Sequence, residues 1–550
     1  MEGHNMKNSM VLKYTVLFTV LILIFSSSCK KFLEEAPTGN QTVEQSFTTA
    51  AEGAALTIGP YRSLNKWTNG AGDYANNMPS TYEFPTGKAI SEDAHGRIFA
   101  FQSNQISGDM LDDFNQPWRD WYDGVRDANF SISRLPGVTE MTEAQRKSSL
   151  GEVRTLRAWY YFNLVRHFGD VVMITETLSD IGSAQQPRTS LKTIYDKVII
   201  PDLEFAVNQS GLPDIQSSNG RVTKHVARTL LADVYLTCAG YPYQEIATSP
   251  EKKWSTDGLW TQQGYPVNTS SAKTFLKKAQ EQLNALYGKY TLGTYDDLHD
   301  PAKNNKGGAI FQAQYMDGVK NNPMPGLSLP GISNISVGGE YGTFVPTVGY
   351  FNSYNKADKR IQPRQMWFFS DNLAKKYDPN EGPASPFNQP YLYKFYDTQA
   401  IKVTGRSSLN WTFYRYADVL LMLTEVNWAL RQLGEAVSEN DMVKGINEVR
   451  ALALLPAYRG SDLNLLNIMS ERAYELVFEN KMLWDQRRTR MCLVDGDGQF
   501  SIQNFIGHKP TDFSFSFTVM NLLSPISGRE ITTNLKCLQN FGYLPKQMGQ

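Results

Sequence analysis

The segment TEAQRKSSLGEVRTLRAWYYFNLVRHFGD, residues 142–170, constrains the fold more than any other stretch of the chain. Leu150, Val153, Leu156, Trp159, Tyr160, Leu164 and Phe168 recur at helical spacing, which marks an α-helix with a broad apolar face. Thr142 and Gln145 have the spacing of a capping box, and Gly169 suits a helix end. A helix of that length runs roughly 40 Å and is stabilised chiefly by packing, so it needs other helices along its sides.

Those partners are legible in the same way. FNQPWRDWYDGVRDANFSISRL carries Trp118, Trp121, Tyr122, Val125 and Phe130. SLKTIYDKVIIPDLEFAVNQ and TKHVARTLLADVYLTCAG read as a pair, with SAKTFLKKAQEQLNALYG after them. YRYADVLLMLTEVNWALRQLG and NDMVKGINEVRALALL follow later. LNLLNIMSERAYELVFENKMLWDQRRTR reads as one helix with Leu466, Met469, Ala473, Leu476, Val477, Leu483 and Trp484 on one side. Near the start, TVEQSFTTAAEGAALTIGPYRSLNKW has a helical pattern, with Thr42 and Gln45 as a second capping box. Helix pairs are therefore expected over 42–66, 109–168, 188–240 and 410–490. Small residues inside and aromatics at the turns suit degenerate tetratricopeptide-like repeats, although no strict 34-residue consensus is visible. The expected fold class is mostly α, a scaffold of such helix pairs carrying a loop-rich, irregular ligand-binding region.

Residues 290–410 depart from this pattern. Gly, Pro, Asn and aromatics dominate NNPMPGLSLPGISNISVGGEYGTFVPTVGYFNSY, which reads as loops with short strands. Residues 68–108 are likewise polar and loop-like. A chain that is 41% hydrophobic and 20% charged is globular in composition. The formal net charge of −1 carries no basic excess to attract nucleic acid.

The N-terminus reads as an export signal. Lys7 and Lys13 precede the uncharged stretch Tyr14–Ser28, whose apolar heart Val16–Phe25 is too short to span a bilayer. Ser26, Ser27 and Ser28 then lead into Cys29. This resembles a bacterial lipoprotein signal, in which the cysteine becomes the first mature residue and is lipidated. Three domains follow: 1–28 as signal peptide, 29–240 as an N-terminal helical region, and 241–550 as a C-terminal region holding the loop-rich insert 290–410. Cys29, Cys238, Cys492 and Cys537 form neither a CxxC motif nor a disulfide framework.

Several stretches together resemble the SusD/RagB-like outer-membrane lipoproteins of the Bacteroidetes. RTLRAWYYFNLVRHFGDVVMITE is similar to that family's LRAxYYFxLVxxFGDVPL signature, with Val172 and Met173 where Pro and Leu are usual. YRYADVLLMLTEVNWAL, INEVRALALLP, ERAYELVFENKMLWDQRR and the mature start CKKFLEEAPTGNQT match further family segments in order. The resemblance implies a lipid anchor at Cys29 on the outside of the outer membrane. It implies a SusC-like TonB-dependent transporter as partner, oligosaccharide or in some members peptide as cargo, no cofactor and no enzymatic activity. The helical repeats would face the transporter, and the variable loops would carry the ligand.

The residues agree that catalysis is not marked. The six histidines are scattered, and no HExxH, GxSxG or Walker loop occurs. Asp495 and Asp497 in VDGDGQF lack the remaining positions of a calcium loop, so an ordinary Gly-rich turn is expected and no metal site. Glu471, Arg472, Glu475, Glu479, Asp485 and Arg487 are expected to pair with neighbouring helices. A glycosidase carboxylate pair is defined in space rather than in sequence, which leaves a surface-anchored glycan hydrolase as the alternative function. Sugar rings stack their CH faces on aromatics while their hydroxyls need Asn, Asp, Gln or Arg. Two loop regions combine these. The first offers Trp67, Asp73, Tyr74, Asn76, Asn77, Tyr82 and Phe84, and the second Asn334, Tyr341, Phe344, Tyr350 and Tyr354.

The anchor reading makes a direct prediction. Cys29→Ala should leave the protein soluble or uncleaved, whereas the wild type partitions with the outer membrane in fractionation of cells lacking the partner barrel. Equal partitioning of the two would remove Cys29 as the anchor.

Overall fold

The structure is a computed structural model. It describes residues 47–68, 78–91, 100–106, 114–178, 183, 185–215, 219–251, 253, 258, 260, 263–328, 342–362, 364–368, 390–397, 400, 403, 404 and 406–543. The expected capping box at Thr42 and Gln45 lies outside them. The first described helix, α1 (Ala50–Ile58), begins with a capping box of Thr49 with Glu52, and a 3-10 segment Gly59–Thr68 continues it. A short helix α2 (Met78–Glu83) and strand β1 (Ala89–Ile90) follow.

The helical scaffold is continuous. α3 (Asn115–Arg134) packs on α4 (Glu143–Phe168), α4 on α5 (Ile200–Asn208), and α5 on α6 (Lys224–Cys238). The series goes on through α7 (Ser270–Leu286), α8 (Tyr416–Gln432) and α9 (Glu439–Leu452). The capping box of Thr142 with Gln145 forms, and Gly169 ends α4 with φ +72°. α4 is buried on nearly every side, and Trp159, Tyr160, Tyr161 and Phe162 are core residues. Gly124 of α3 lets the Tyr160 ring pack closely on the helix, since a Cβ there would come within 2.4 Å of it. Cys238, Cys492 and Cys537 are free and buried. Among the described residues no helix is long and apolar enough to cross a membrane.

The segment 463–490 differs from its reading as one helix. α10 (Leu465–Glu475) ends, the chain turns through Phe478 and Asn480 with φ of +55° and +58°, and α11 (Met482–Thr489) begins. The break is set by charge. Arg360, with no exposed surface, binds Asp358 at 2.7 Å, Glu471 at 2.8 Å and Glu475 at 3.2 Å. Arg415 reaches Glu475 at 2.8 Å and Glu479 at 2.9 Å, and Lys394 binds Glu479 at 2.5 Å. A continuous helix would not turn Glu479 toward Arg415 and Lys394 in this way. Beyond the turn, Arg472 spans Asp418 and Asp485, Lys481 joins Asp418, and Arg488 joins Asp485 and Glu425. Burial favours the neutral acids, but Arg415 and Lys394 hold Glu479 below the usual carboxylate range, and Lys481 and Arg472 do the same for Asp418.

The described part of the irregular region joins the core of the helical scaffold. Tyr350, Phe351, Tyr354, Trp367, Phe368, Tyr391, Tyr393 and Tyr396 are all buried. Strands here are short and paired antiparallel in twos: β1 with β3 (Val345–Pro346), β2 (Ala309–Ala313) with β4 (Trp411–Arg415), and β5 (Met491–Val494) with β6 (Ser501–Asn504). Large rings supply the apolar area that irregular backbone lacks a repeating face to provide.

Two predictions follow from the buried charges. Arg360→Met leaves Asp358 without its cation and takes one of two cations from Glu471 and Glu475, and should lower stability by about 3–5 kcal/mol, read by chemical denaturation. A loss below about 1 kcal/mol would show that the network carries little of the fold. The second concerns Glu83 at the end of α2. Burial pushes its carboxyl up from 4.5 to about 8, against the backbone N–H that Asn480 donates to it at 2.9 Å and the nearby Lys394. The folded protein thus keeps a proton that the unfolded chain releases, so this group makes stability fall as pH rises from about 4.5 to about 8. Glu83→Gln should remove that slope, giving a melting temperature above wild type at pH 8.5 and close to it at pH 4.5. Parallel profiles would show that Glu83 is ionised in the folded state.

Candidate functional site

The two loop regions singled out from sequence meet at one small sheet. β1 follows α2, and Ala89 pairs with Pro346 while Ile90 pairs with Val345. Thr347 donates its backbone N–H to the Lys88 carbonyl at 3.0 Å, and Ser91 donates its N–H to Gln102 Oε1 at 2.8 Å. Beneath the pairing, Phe84 stacks on Phe344 with ring centres 5.6 Å apart. Residues 67–105 and 330–355 are therefore neighbours at their bases, although far apart in the chain. A third segment is rooted beside them: Trp367 pairs with Leu392, Phe368 donates its N–H to the Tyr391 carbonyl at 3.1 Å, and the Trp367 ring packs on Phe351.

An ion pair locks this base to the C-terminal part of the chain. Lys88 Nζ lies 2.5 Å from Asp495 Oδ1, both side chains being nearly inaccessible. Asp495 belongs to VDGDGQF, where Gly498 takes φ +75° and donates its N–H to the Asn352 carbonyl at 2.8 Å. The stretch is thus the Gly-rich turn expected, and Asp497 is 93% exposed. Burial, aided by Lys88, pushes the nearby His508 down to about 4, so it is neutral at ordinary pH. Among the described residues no group of three or more His, Cys, Asp or Glu side chains is arranged to hold a metal.

The individual site residues fare unequally. Cys29, Asp73, Tyr74, Asn76, Asn77, Asn334 and Tyr341 lie outside the described residues. Trp67 stands in the helical segment Gly59–Thr68, which leads directly into 69–77. Tyr82 and Phe344 are corrected: both are buried packing residues, with 1% and 0% of their surface exposed. The Tyr82 ring sits edge-on to His167 and Trp484, and its hydroxyl donates to Asn163 Oδ1 at 3.0 Å. Phe84, Tyr350 and Tyr354 are likewise core, the last two donating their hydroxyls to the carbonyls of Ala473 and Tyr474. Sequence reasoning missed Lys88 and Gln102, which hold the base, and read Asp495 only as part of a turn. A lysine one residue before a strand carried no signal of its own.

Comparison with known proteins agrees with this architecture. Residues 307–543 match the family profile described as the SusD family, and residues 31–236 match one described as starch-binding associating with outer membrane. A SusD superfamily protein from Parabacteroides distasonis has a solved structure 31% identical to this chain. It covers 92% of this chain and 100% of its own, with a TM-score of 0.77. A SusD-like protein of Formosa agariphila is 25% identical over 519 residues, 87% of this chain and 91% of that protein. A surface glycan-binding protein from Bacteroides thetaiotaomicron, solved with laminarihexaose, shares the fold at 18% identity and a TM-score of 0.67, covering 90% of this chain and 100% of its own. Profile, identity and fold converge, and the chain belongs to the SusD family.

Proposed function

We propose that the mature protein is a lipid-anchored receptor on the outer surface of the outer membrane. It captures oligosaccharide without cleaving it and passes it to a SusC-like TonB-dependent transporter. The observation that carries this reading is the β1–β3 pairing, which joins the bases of two regions whose sequence holds Trp67, Tyr74, Asn76, Asn77, Asn334 and Tyr341. Flat rings and amides in one place are what a sugar's CH faces and hydroxyls require. The fold shared with a relative solved with laminarihexaose, and the profile named for starch binding at the outer membrane, support a glycan as cargo. Modest affinity suits a ligand that must be released.

The experiment is calorimetry of the mature protein against a panel of glycans, repeated with Trp67→Ala and Tyr341→Ala. Each variant should stay folded and lose binding roughly fivefold, since one stacked ring is worth on the order of 1 kcal/mol beyond buried area. Tyr82→Ala and Phe344→Ala are unsuitable probes, because deleting a buried ring costs about 3–5 kcal/mol of stability. Binding of short peptides with no glycan bound would change the cargo class. Release of new reducing ends would overturn capture in favour of hydrolysis.

A further inference from the structure

A cleft of about 790 Å³ opens along the helical scaffold between α1, the segment Gly59–Thr68 and α3. Its floor is apolar. Phe47 and Phe130 meet edge to face with ring centres 5.5 Å apart, and Ile58 in the same cleft is 52% exposed. Tyr61 is fixed in the wall, because its hydroxyl donates to Glu152 at 2.6 Å and accepts from the Val222 N–H at 2.7 Å.

The chain itself enters the fold at this cleft. Phe47, which follows the N-terminal residues outside the described structure, is part of the lining. It takes φ +73°, a left-handed turn that a bulky side chain adopts only where its neighbours hold it there, and its ring is held on Phe130. The next residues are pinned in place. Glu140 donates its N–H to the Thr48 carbonyl at 3.1 Å, and Ala50 donates its N–H to Glu140 Oε2 at 3.0 Å. Residues 29–46 are therefore joined to the wall of the cleft and not to some distant face.

The charges at the cleft have a sign. Arg62 binds Asp127 at 2.9 Å and Arg126 binds it at 2.8 Å, so one carboxylate serves two guanidinium groups. Asp123, which Arg126 also touches, is drawn at 2.6 Å to Lys66 outside the cleft. Both guanidinium groups are more than half exposed, and Arg62 uses only Nη2 on Asp127 among the described residues. An occupant that suits this surface brings apolar side chains and carboxylates together.

The joined segment has that composition. It reads CKKFLEEAPTGNQTVEQS, with Phe32 and Leu33 directly before Glu34 and Glu35. We propose that Phe32–Glu35 docks in the cleft of its own chain, the two apolar side chains on the Phe47, Ile58 and Phe130 floor and the two carboxylates on Arg62 and Arg126. Reach permits it, since residues 32–47 extended cover roughly 50 Å while α1 and Gly59–Thr68 together run roughly 35 Å. Connection also selects this occupant over a free one of similar chemistry. A segment linked to its site through residues 36–46 is present there at roughly millimolar effective concentration.

The docking stands on the cleft and the segment; its consequence for the anchored protein rests on the lipid at Cys29. With Phe32 seated, Cys29 lies within roughly 10 Å of the cleft, against a leash of roughly 60 Å if the whole of 29–47 were extended. The face formed by α1 and α3 is then the one held toward the membrane.

The test uses the mature chain from Cys29, made without the export signal and so without lipid. Phe32→p-benzoylphenylalanine should cross-link on irradiation, within one molecule, to residues 55–64 or 126–131. Hydroxyl-radical oxidation of Phe47, Tyr61 and Phe130 should rise several-fold in the double variant Phe32→Ser and Leu33→Ser. A synthetic KKFLEEAPTGNQ peptide should restore their protection, and a scrambled one should not. Arg62→Glu should raise the oxidation likewise, and Glu34→Lys with Glu35→Lys should lower it again in that background. Cross-links that join two molecules or fall elsewhere overturn the proposal, as does unchanged oxidation in either the serine or the Arg62 variant. If docking fails while Cys29→Ala still releases the protein from the membrane, the anchor reading stands and only the docking falls.

Discussion

The buried charges around the turn between α10 and α11 hold the molecule's two halves together. Arg360, Lys394, Arg415, Arg450, Arg472, Lys481 and Arg488 meet Asp358, Asp418, Glu425, Glu471, Glu475, Glu479 and Asp485. The carboxylates of α8, α10 and α11 belong to the helical scaffold, whereas Arg360 and Lys394 come from the irregular region. Apolar packing alone does not distinguish one docking of two greasy surfaces from another of similar area. A set of buried charges does, because any displacement leaves ions unpaired at a cost of several kcal/mol. Glu83, at the edge of this set, carries its proton, and the balance of seven cations against seven carboxylates is kept.

How much of this could be read in the sequence depended on distance. The helices were legible because their signals are local: the Thr142 cap with Gln145, the Gly169 stop, and the three- and four-residue spacing of Leu150 through Phe168. The break at Phe478–Asn480 was not, because LVFENKM contains no residue that must stop a helix. Glu479 needs Arg415, and the Asn480 N–H needs Glu83, and neither partner is nearby in the chain.

The candidate site shows the same division. Its regions could be named from composition, since Trp, Tyr and Asn outside the helical repeats are visible in the letters. Which aromatics face solvent could not. Tyr82 and Phe344 sit in loop-like sequence, yet Asn163, His167 and Trp484 enclose the first and Phe84 covers the second. The convergence of the two regions rests on a ladder only two residues long, too short to leave a periodic trace.

That short ladder has a kinetic consequence. The helix pairs are joined largely by local contacts and can form as the chain emerges. β1 has no partner until β3 arrives, and Ser91 meets Gly342 across 251 residues of chain. The lock on that pairing is later still, since Lys88 and Asp495 are 407 residues apart. Contacts so distant bear the largest loop-closure entropy and form last. A chain truncated before residue 495 would hold helix pairs around an open base. The base that the β1–β3 pairing forms is thereby complete only once the chain has been made as far as Asp495.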